Sequence, residues 1–366
     1  MNDAPAGVPR HTAWTSGRTP CGPAAGERGD SADMTTTTAN TQGPELTAAE
    51  RELLVRAAVL APSMHNTQPW LFGFRHRTVE VHRDVTRELT AEDPDGRLTL
   101  IGVGAAVLNL RVAAATLALR TTTVLLPDTC RPTLAARLTL GTGSGEGTEL
   151  AGLFPSIPRR RTNRHPFTDH AIEPAVRHEL AQAAAAESAR LYWANDRQVR
   201  WLQHLATDAD HAEQHDLHRI VERGCWVGGE RHHDGVPLAS LGPRSADVPS
   251  PVRDLAVDPA DRARATARFE DHPQLAVLAT AEDSPRSWLV AGQALQRVLL
   301  LATRHGLAAS LLNQLIEHEE LRELLYDPGA GPTAPQAVLR LGRGRDVPST
   351  PRRPVEAFVL HDDETP

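Results

Sequence analysis

A repeated unit is the strongest constraint on how this chain can fold. The stretch VGAAVLNLRVAAATLALRTTTVLL from Val103 and the stretch VAGQALQRVLLLATRHGLAASLL from Val290 share one pattern at an offset of 187 residues. Each reads as an apolar helix rich in Ala and Leu, then a small-residue turn, then a strand. Two such helices can look alike by composition alone. The matching turn and strand after each favour a true repeat. The expectation is two halves, 45–149 and 150–366, joined through the Gly-rich linker GTGSGEGTE at 141–149.

The first half reads as a helix, LTAAERELLVRAAVLA, a polar loop, one strand over WLFGFRHRTVEVHR, the long helix, and strands over TTTVLLP and PTLAARLTLG. The second half opens on an arginine-rich segment and the helix IEPAVRHELAQAAAA. It continues with the strand ARLYWAN, one helix over VRWLQHLATDADHAEQHDLHRIVE and a loop-rich segment at 224–260. The strand QLAVLATA, the second repeated helix, a short helix, the strand QAVLRLG and the arm PSTPRRPVEAFVL close it. Residues 1–44 have the Pro-, Gly- and Thr-rich composition of a disordered extension. Met34 is a candidate start within it.

The 366 residues, 40% hydrophobic and 23% charged, describe an ordinary globular protein. A formal charge of −7 argues against general nucleic-acid binding, which needs a basic face. The sequence contains no Lys, so all 39 basic residues are Arg. Every cationic contact must then be a planar fork that stays charged, never a lysine base or Schiff-base amine. No apolar run is expected to span a membrane, for which roughly 18 residues are needed. The N-terminus lacks an apolar signal core. Cys21, Cys130 and Cys225 form no CxxC pair. A cytoplasmic protein with neither membrane nor nucleic-acid partner is expected.

Two motifs carry chemistry. The first is the loop Ala61-Pro62-Ser63-Met64-His65-Asn66-Thr67-Gln68-Pro69-Trp70, which aims short polar side chains and free backbone groups at a neighbour. The second is Arg159-Arg160-Arg161-Thr162-Asn163-Arg164-His165-Pro166-Phe167, ahead of a helix. Arginine forks and a hydroxyl near a helix N-terminus make an anion cradle. A polar connecting loop and a solvated basic linker are the plain alternatives.

APSxxNxQPW resembles the flavin loop of the nitroreductase superfamily, and R-R-T-x-R resembles its R-R-S-x-R flavin motif. The first half has the loop without the arginines, and the second has the arginines without the loop. That pattern resembles the Acg family, FMN proteins folded as a dimer within one chain, with a lid over the flavin. The resemblance implies an α+β nitroreductase-like fold with a mixed sheet flanked by helices in each half. It implies one FMN between the halves, NAD(P)H as co-substrate, and a small-molecule acceptor such as a nitro compound or quinone. The chain would be a monomer imitating a dimer. It implies that Arg160 holds the phosphate, Thr162 contacts the flavin and Arg164 meets the pyrimidine edge. Pro62, Ser63, Asn66 and Gln68 would reach across from the first half. Leu312, Asn313 and Gln314 would lie near flavin N5, and Arg343, Arg352 and Arg353 would complete the phosphate site. Segment 224–260 would be the lid. Storage of FMN without efficient turnover is the competing expectation, and no side-chain general acid is apparent.

Three other patterns are expected to carry nothing. Gly102-x-Gly104 imitates a dinucleotide loop, but Val107 stands at its third glycine. His211, His215 and His218 form one stripe if helical, without a cysteine nearby for zinc. Ser63 lacks a nucleophile elbow.

Overall fold

The computed structural model describes residues 44–143, 147–325 and 333–360. The extension read as disordered therefore lies outside the described residues, except for Pro44. Helix α1 (Ala48–Ala58) begins at a reciprocal cap. The Glu50 N–H donates to Thr47 Oγ1 at 3.2 Å, and the Thr47 N–H donates to Glu50 Oε2 at 2.7 Å. After the polar loop, the strand expected over 70–83 is instead a hairpin of β1 (Trp70–Arg75) and β2 (Thr78–Arg83). His76 makes the reversal at φ 49° without the usual Gly or Asn, so no turn signature marked it. Helix α2 (Arg97–Thr116), β3 (Leu119–Leu125) and β4 (Leu134–Thr142) complete a sheet in the order β1-β2-β4-β3. Helix α3 (Gly147–Ala151) occupies the end of the stretch read as a linker.

The second part contains α4 (Pro174–Ala185), β5 (Arg190–Trp193), α5 (Asp196–Glu213) and α6 (Leu217–Trp226). Two-residue strands β6 (Arg244–Ser245) and β7 (Thr266–Ala267) flank α7 (Pro259–Arg262). Then come β8 (Gln274–Thr280), α8 (Pro285–Arg304), β9 (Ala308–Leu311), α9 (Gln314–Glu317), α10 (Glu319–Leu324) and β10 (Ala334–Gly342). Their sheet runs β5-β8-β10-β9. The two large sheets thus follow the same strand order, each with its long helix between the second and third strands. Their ladders are antiparallel. Parallel bridges extend an edge of each: Phe72–Val359 lays the C-terminal arm beside β1, and Thr162–Ala309 lays the arginine-rich segment beside β9. The fold is α+β.

The repeat runs in a register of 188 residues, one more than the sequence pattern suggested. Helices α2 and α8 each have 20 residues, starting at Arg97 and Pro285. Ala118 (φ 54°) and Gly306 (φ 72°) occupy the same left-handed position after them. Gly104 meets Gly292 where the helices cross. A Cβ on Gly104 would lie 2.3 Å from the Leu289 carbonyl oxygen, and one on Gly292 would lie 2.0 Å from that of Ile101. Backbone contact of this kind, not the Val–Val match, sets the register. Around the crossing, Asn109 accepts from Gln296 at 2.8 Å and Arg111 pairs with Glu187 at 2.5 Å. By length and composition α2 could cross a membrane, contrary to the expectation that no run would qualify. Its apolar window is 94% buried inside the protein, where α1, α8 and the first sheet cover it.

The helix expected across 199–222 is two helices. The Asp216 carboxylate accepts from the His218 and Arg219 N–H groups and starts α6 afresh. His211, His215 and His218 are therefore split between elements, and all three are exposed. Gly102 and Gly104 lie inside α2 and not at a strand–helix turn, which removes the dinucleotide reading. Finally, residues 351–360 cross from the second sheet to the first. The Leu360 N–H donates to the Phe72 carbonyl at 2.9 Å, and Phe358 is fully buried.

Candidate functional site

The loop at 61–70 is held in a strained form. His65, Asn66 and Gln68 have φ of 45°, 58° and 54°, the left-handed region that non-glycine residues seldom adopt. Local bonds fix it: the Gln68 N–H donates to Ser63 Oγ at 2.9 Å, and the Asn66 N–H donates to the Ser63 carbonyl at 3.0 Å. The loop faces a two-lobed cleft, with Pro62, Ser63, His65, Thr162 and Arg164 lining both lobes. The lobes enclose about 770 and 760 Å³ of space open to the cleft.

The first lobe is basic. Arg160 is 6% exposed, and its Nε and Nη1 have no hydrogen-bond partner. Arg161 and Arg352 line the same lobe, with Ser349 and Thr350 beside them. Among the described residues no carboxylate pairs with any of these three arginines. Burial, with Arg161 close by, pulls the Arg160 guanidinium down to about 10. Burial and the neighbouring Arg160 and Arg161 pull Arg352 to about 9. Buried cations without a counter-charge are costly unless an anion completes the site.

The second lobe is an apolar slot between Leu98, Ile101 and Gly102 of α2, Leu295 of α8, Leu311 of β9 and Leu255 above. Gly102 lets the loop lie on the helix: a Cβ there would sit 3.4 Å from Ser63 Cβ. Arg164 stands between the lobes, donates to the Ser240 carbonyl at 3.1 Å and is pulled to about 10 by burial and by Arg253. Asn313 lines the slot with its Oδ1 buried and unpartnered.

Other residues singled out from the sequence lie elsewhere. Arg343 is exposed and lines a separate groove beside Phe167, because β10 ends at Gly342 and turns it outward. Leu312 is fully buried in the core under β10. Gln314 is buried with Oε1 unpartnered but does not line the cleft. Arg353 stacks on Phe358 at 4.3 Å and donates to the Gln68 carbonyl at 3.2 Å. Asn66 lines the basic lobe, yet its amide is engaged by protein. Its Nδ2 donates to the Gly235 and Pro351 carbonyls, both at 2.9 Å, and its Oδ1 accepts from Arg352 at 2.8 Å. Gln68 is likewise occupied, donating to the His233 carbonyl at 3.0 Å and accepting from the Arg353 N–H at 3.1 Å. Both amides fasten the covering segment and the C-terminal arm.

That segment lies over the cleft through Val236, Ala239, Ser240, Arg253 and Leu255. Val227, Val236, Leu241, Leu255 and Ala256 give it a small core of its own. A buried ion cluster anchors it. Arg253 pairs with Glu317 at 2.7 Å and with Glu213 at 2.5 Å. Arg223 pairs with Glu92 at 2.5 Å and Glu213 at 2.7 Å, and Arg219 with Glu213 at 3.0 Å. His65 Nε2 meets Glu92 Oε2 at 2.5 Å. Burial alone would raise Glu92; His65, Arg223 and Arg253 outweigh it and hold the carboxyl near 2. The three carboxylates lie close enough together for a metal ion, but three arginine forks already neutralise them. No sequence pattern had marked Glu92, Glu213, Arg253 or Glu317.

The site is thus a basic pocket opening into a largely apolar slot, set on an α+β scaffold of two like sheets. The chain matches no family model. It is 30% identical over 314 residues to a Mycobacterium tuberculosis protein named as an NAD(P)H nitroreductase, acg, covering 84% of this chain and 94% of the relative. A second M. tuberculosis protein so named is 29% identical over 316 residues, covering 84% and 90%. Among solved structures, a Bacteroides fragilis nitroreductase with bound FMN matches at TM-score 0.35 and 16% identity, over 57% of this chain and 97% of that one. The chain belongs to the nitroreductase superfamily, in the family of acg.

Proposed function

We propose that the protein is an FMN-dependent oxidoreductase that uses NAD(P)H to reduce a nitro or quinone-type acceptor. The observation that carries this reading is Arg160, which lines the basic lobe while its buried Nε and Nη1 have no hydrogen-bond partner. Arg160, Arg161 and Arg352 suit a phosphate, because forked charge-assisted bonds to its oxygens would answer three uncompensated cations. The apolar slot suits a flat ring, and Asn313 Oδ1 suits a ring N–H. Bound flavin would supply the redox chemistry, and the chain's part is to bind, orient and screen it from water. Asn66 serves this indirectly by holding Arg352 at the pocket. The two like sheets support a single chain that imitates a dimer and carries one cofactor.

A second reading, retention of FMN with little turnover, is favoured by the buried ion cluster that fastens the covering segment as a lid. Anaerobic addition of NADH or NADPH to the purified, flavin-loaded protein separates the two. Bleaching of flavin absorbance followed by recovery with a quinone supports the oxidoreductase. Retained flavin without bleaching supports storage. Protein that takes up neither FMN nor riboflavin would overturn both.

A further inference from the structure

The second inference rests on the oxidoreductase reading and concerns the proton that this reaction needs. His65 lines both lobes of the cleft, on a left-handed backbone at φ 45° that fixes where its ring points. Its Nε2 is taken by Glu92 at 2.5 Å. Glu92 is in turn clamped by Arg223, with Arg253 3.8 Å away, and is a carboxylate and hence an acceptor only. Nε2 therefore carries a proton whether the imidazole is neutral or charged. The atom that gains and loses a proton is Nδ1, which has no hydrogen-bond partner among the described residues. Arg164, Arg253 and Glu317 are the other charged groups lining the slot beside the ring.

We propose that His65 is the proton donor of the acceptor half-reaction, with Glu92 as its positioning residue. Reduction of a quinone needs a hydride and a proton. One quinone oxygen gains the hydride with its electron pair, which derives from the dihydronicotinamide donor, now oxidised. The electrons pushed to the other oxygen form its bond to the proton leaving Nδ1. The product is the hydroquinone, and Nδ1 regains its proton from water. A carboxylate-held imidazole facing a reaction cleft is suited to this work.

The test uses His65→Asn, because Asn tolerates the left-handed backbone. Flavin content, measured first on the wild type, reports on the cofactor reading separately. With NAD(P)H present, two acceptors are compared: a benzoquinone, which needs a proton, and ferricyanide, which takes electrons only. In the variant the quinone rate, taken per bound flavin, is expected to fall at least about a hundredfold further than the ferricyanide rate. Equal losses with both acceptors, or no loss with either, would overturn the proposal. A readout independent of turnover is the ¹⁵N imidazole spectrum of the wild type, with and without FMN, the His65 signals being those missing from the variant. Nδ1 is expected to be the nitrogen that titrates while Nε2 stays protonated. Deprotonation at Nε2 instead would overturn it even in a protein that only stores flavin.

Discussion

Asn66 and Arg352, 286 residues apart, share a 2.8 Å hydrogen bond in which the guanidinium donates to the amide oxygen. The same amide nitrogen holds Gly235 of the lid and Pro351 of the arm. One side chain thus joins three distant segments at the mouth of one pocket. Removing it should loosen the covering segment and also free Arg352 at the basic lobe. Asn66→Ala leaves buried partners unpaired, at about 1–3 kcal/mol. Release of FMN should quicken by roughly 5- to 150-fold in a stopped-flow exchange assay, and release of riboflavin should quicken as well, because the tie to Gly235 is lost with either flavin.

Arg160 should discriminate more sharply between the two flavins. Arg160→Ala loses a charge-assisted bond of about 1.5–3 kcal/mol that only the phosphate can make. FMN affinity should fall while riboflavin affinity holds, as read by fluorescence quenching. Without flavin, Arg160→Met should melt higher than the wild type, since it removes a buried cation that has no counter-charge.

Stability should depend on pH at both ends. Burial lifts Asp210 to about 7, against Glu213 and Glu317 and despite Arg253. Between its ordinary value near 3.8 and about 7 the unfolded chain releases this proton and the folded one keeps it. Stability therefore falls as pH rises through that window. Asp210→Asn should flatten the fall, by about 1–4 kcal/mol at pH 8 in urea titrations. Glu92 runs the other way. Held near 2 against an ordinary 4.5, it stabilises the fold above pH 4.5, and this is lost as pH drops towards 2. Glu92→Gln should weaken that acid limb.

The helix crossing predicts a sharp contrast between glycines. Gly292→Ala places a methyl 2.0 Å from a carbonyl oxygen, whereas Gly73→Ala meets nothing nearer than 3.9 Å. The first should cost about 3 kcal/mol or more as the helices part. Gly73→Ala should be nearly silent in a thermal melt.

Much of this site was legible because some chemistry is written locally. Arg160, Thr162 and Arg164 fall within five residues, and Pro62 and Ser63 within one loop, so their shared purpose shows in the string. The sequence also carried the repeat, because an apolar helix followed by a turn and strand leaves a pattern. The lid cluster was not legible. Glu92, Glu213, Arg253 and Glu317 look like ordinary surface charges until folding buries them together, and ties that span 40, 64 and 131 residues leave no spacing to read. Asn66 was legible as a polar side chain at the site but not as a tie, since two of its three partners are backbone carbonyls that any residue could supply and the third, Arg352, lies 286 residues away. Arg343 sat in a basic run whose direction only the end of β10 decides.

The return of the C-terminal arm to the first sheet has a consequence for the birth of the protein. Asn66 leaves the ribosome 286 residues before Arg352. At about 5–20 residues per second this is a wait of roughly 15–60 s. Through that interval the strained loop lacks its arginine, and β1 lacks its edge partner at Val359. A nascent chain can shape its first helices and hairpin, but it has no finished pocket to offer. On the flavin reading, cofactor capture is expected only of chains synthesised at least through the arm, and truncated products should be colourless.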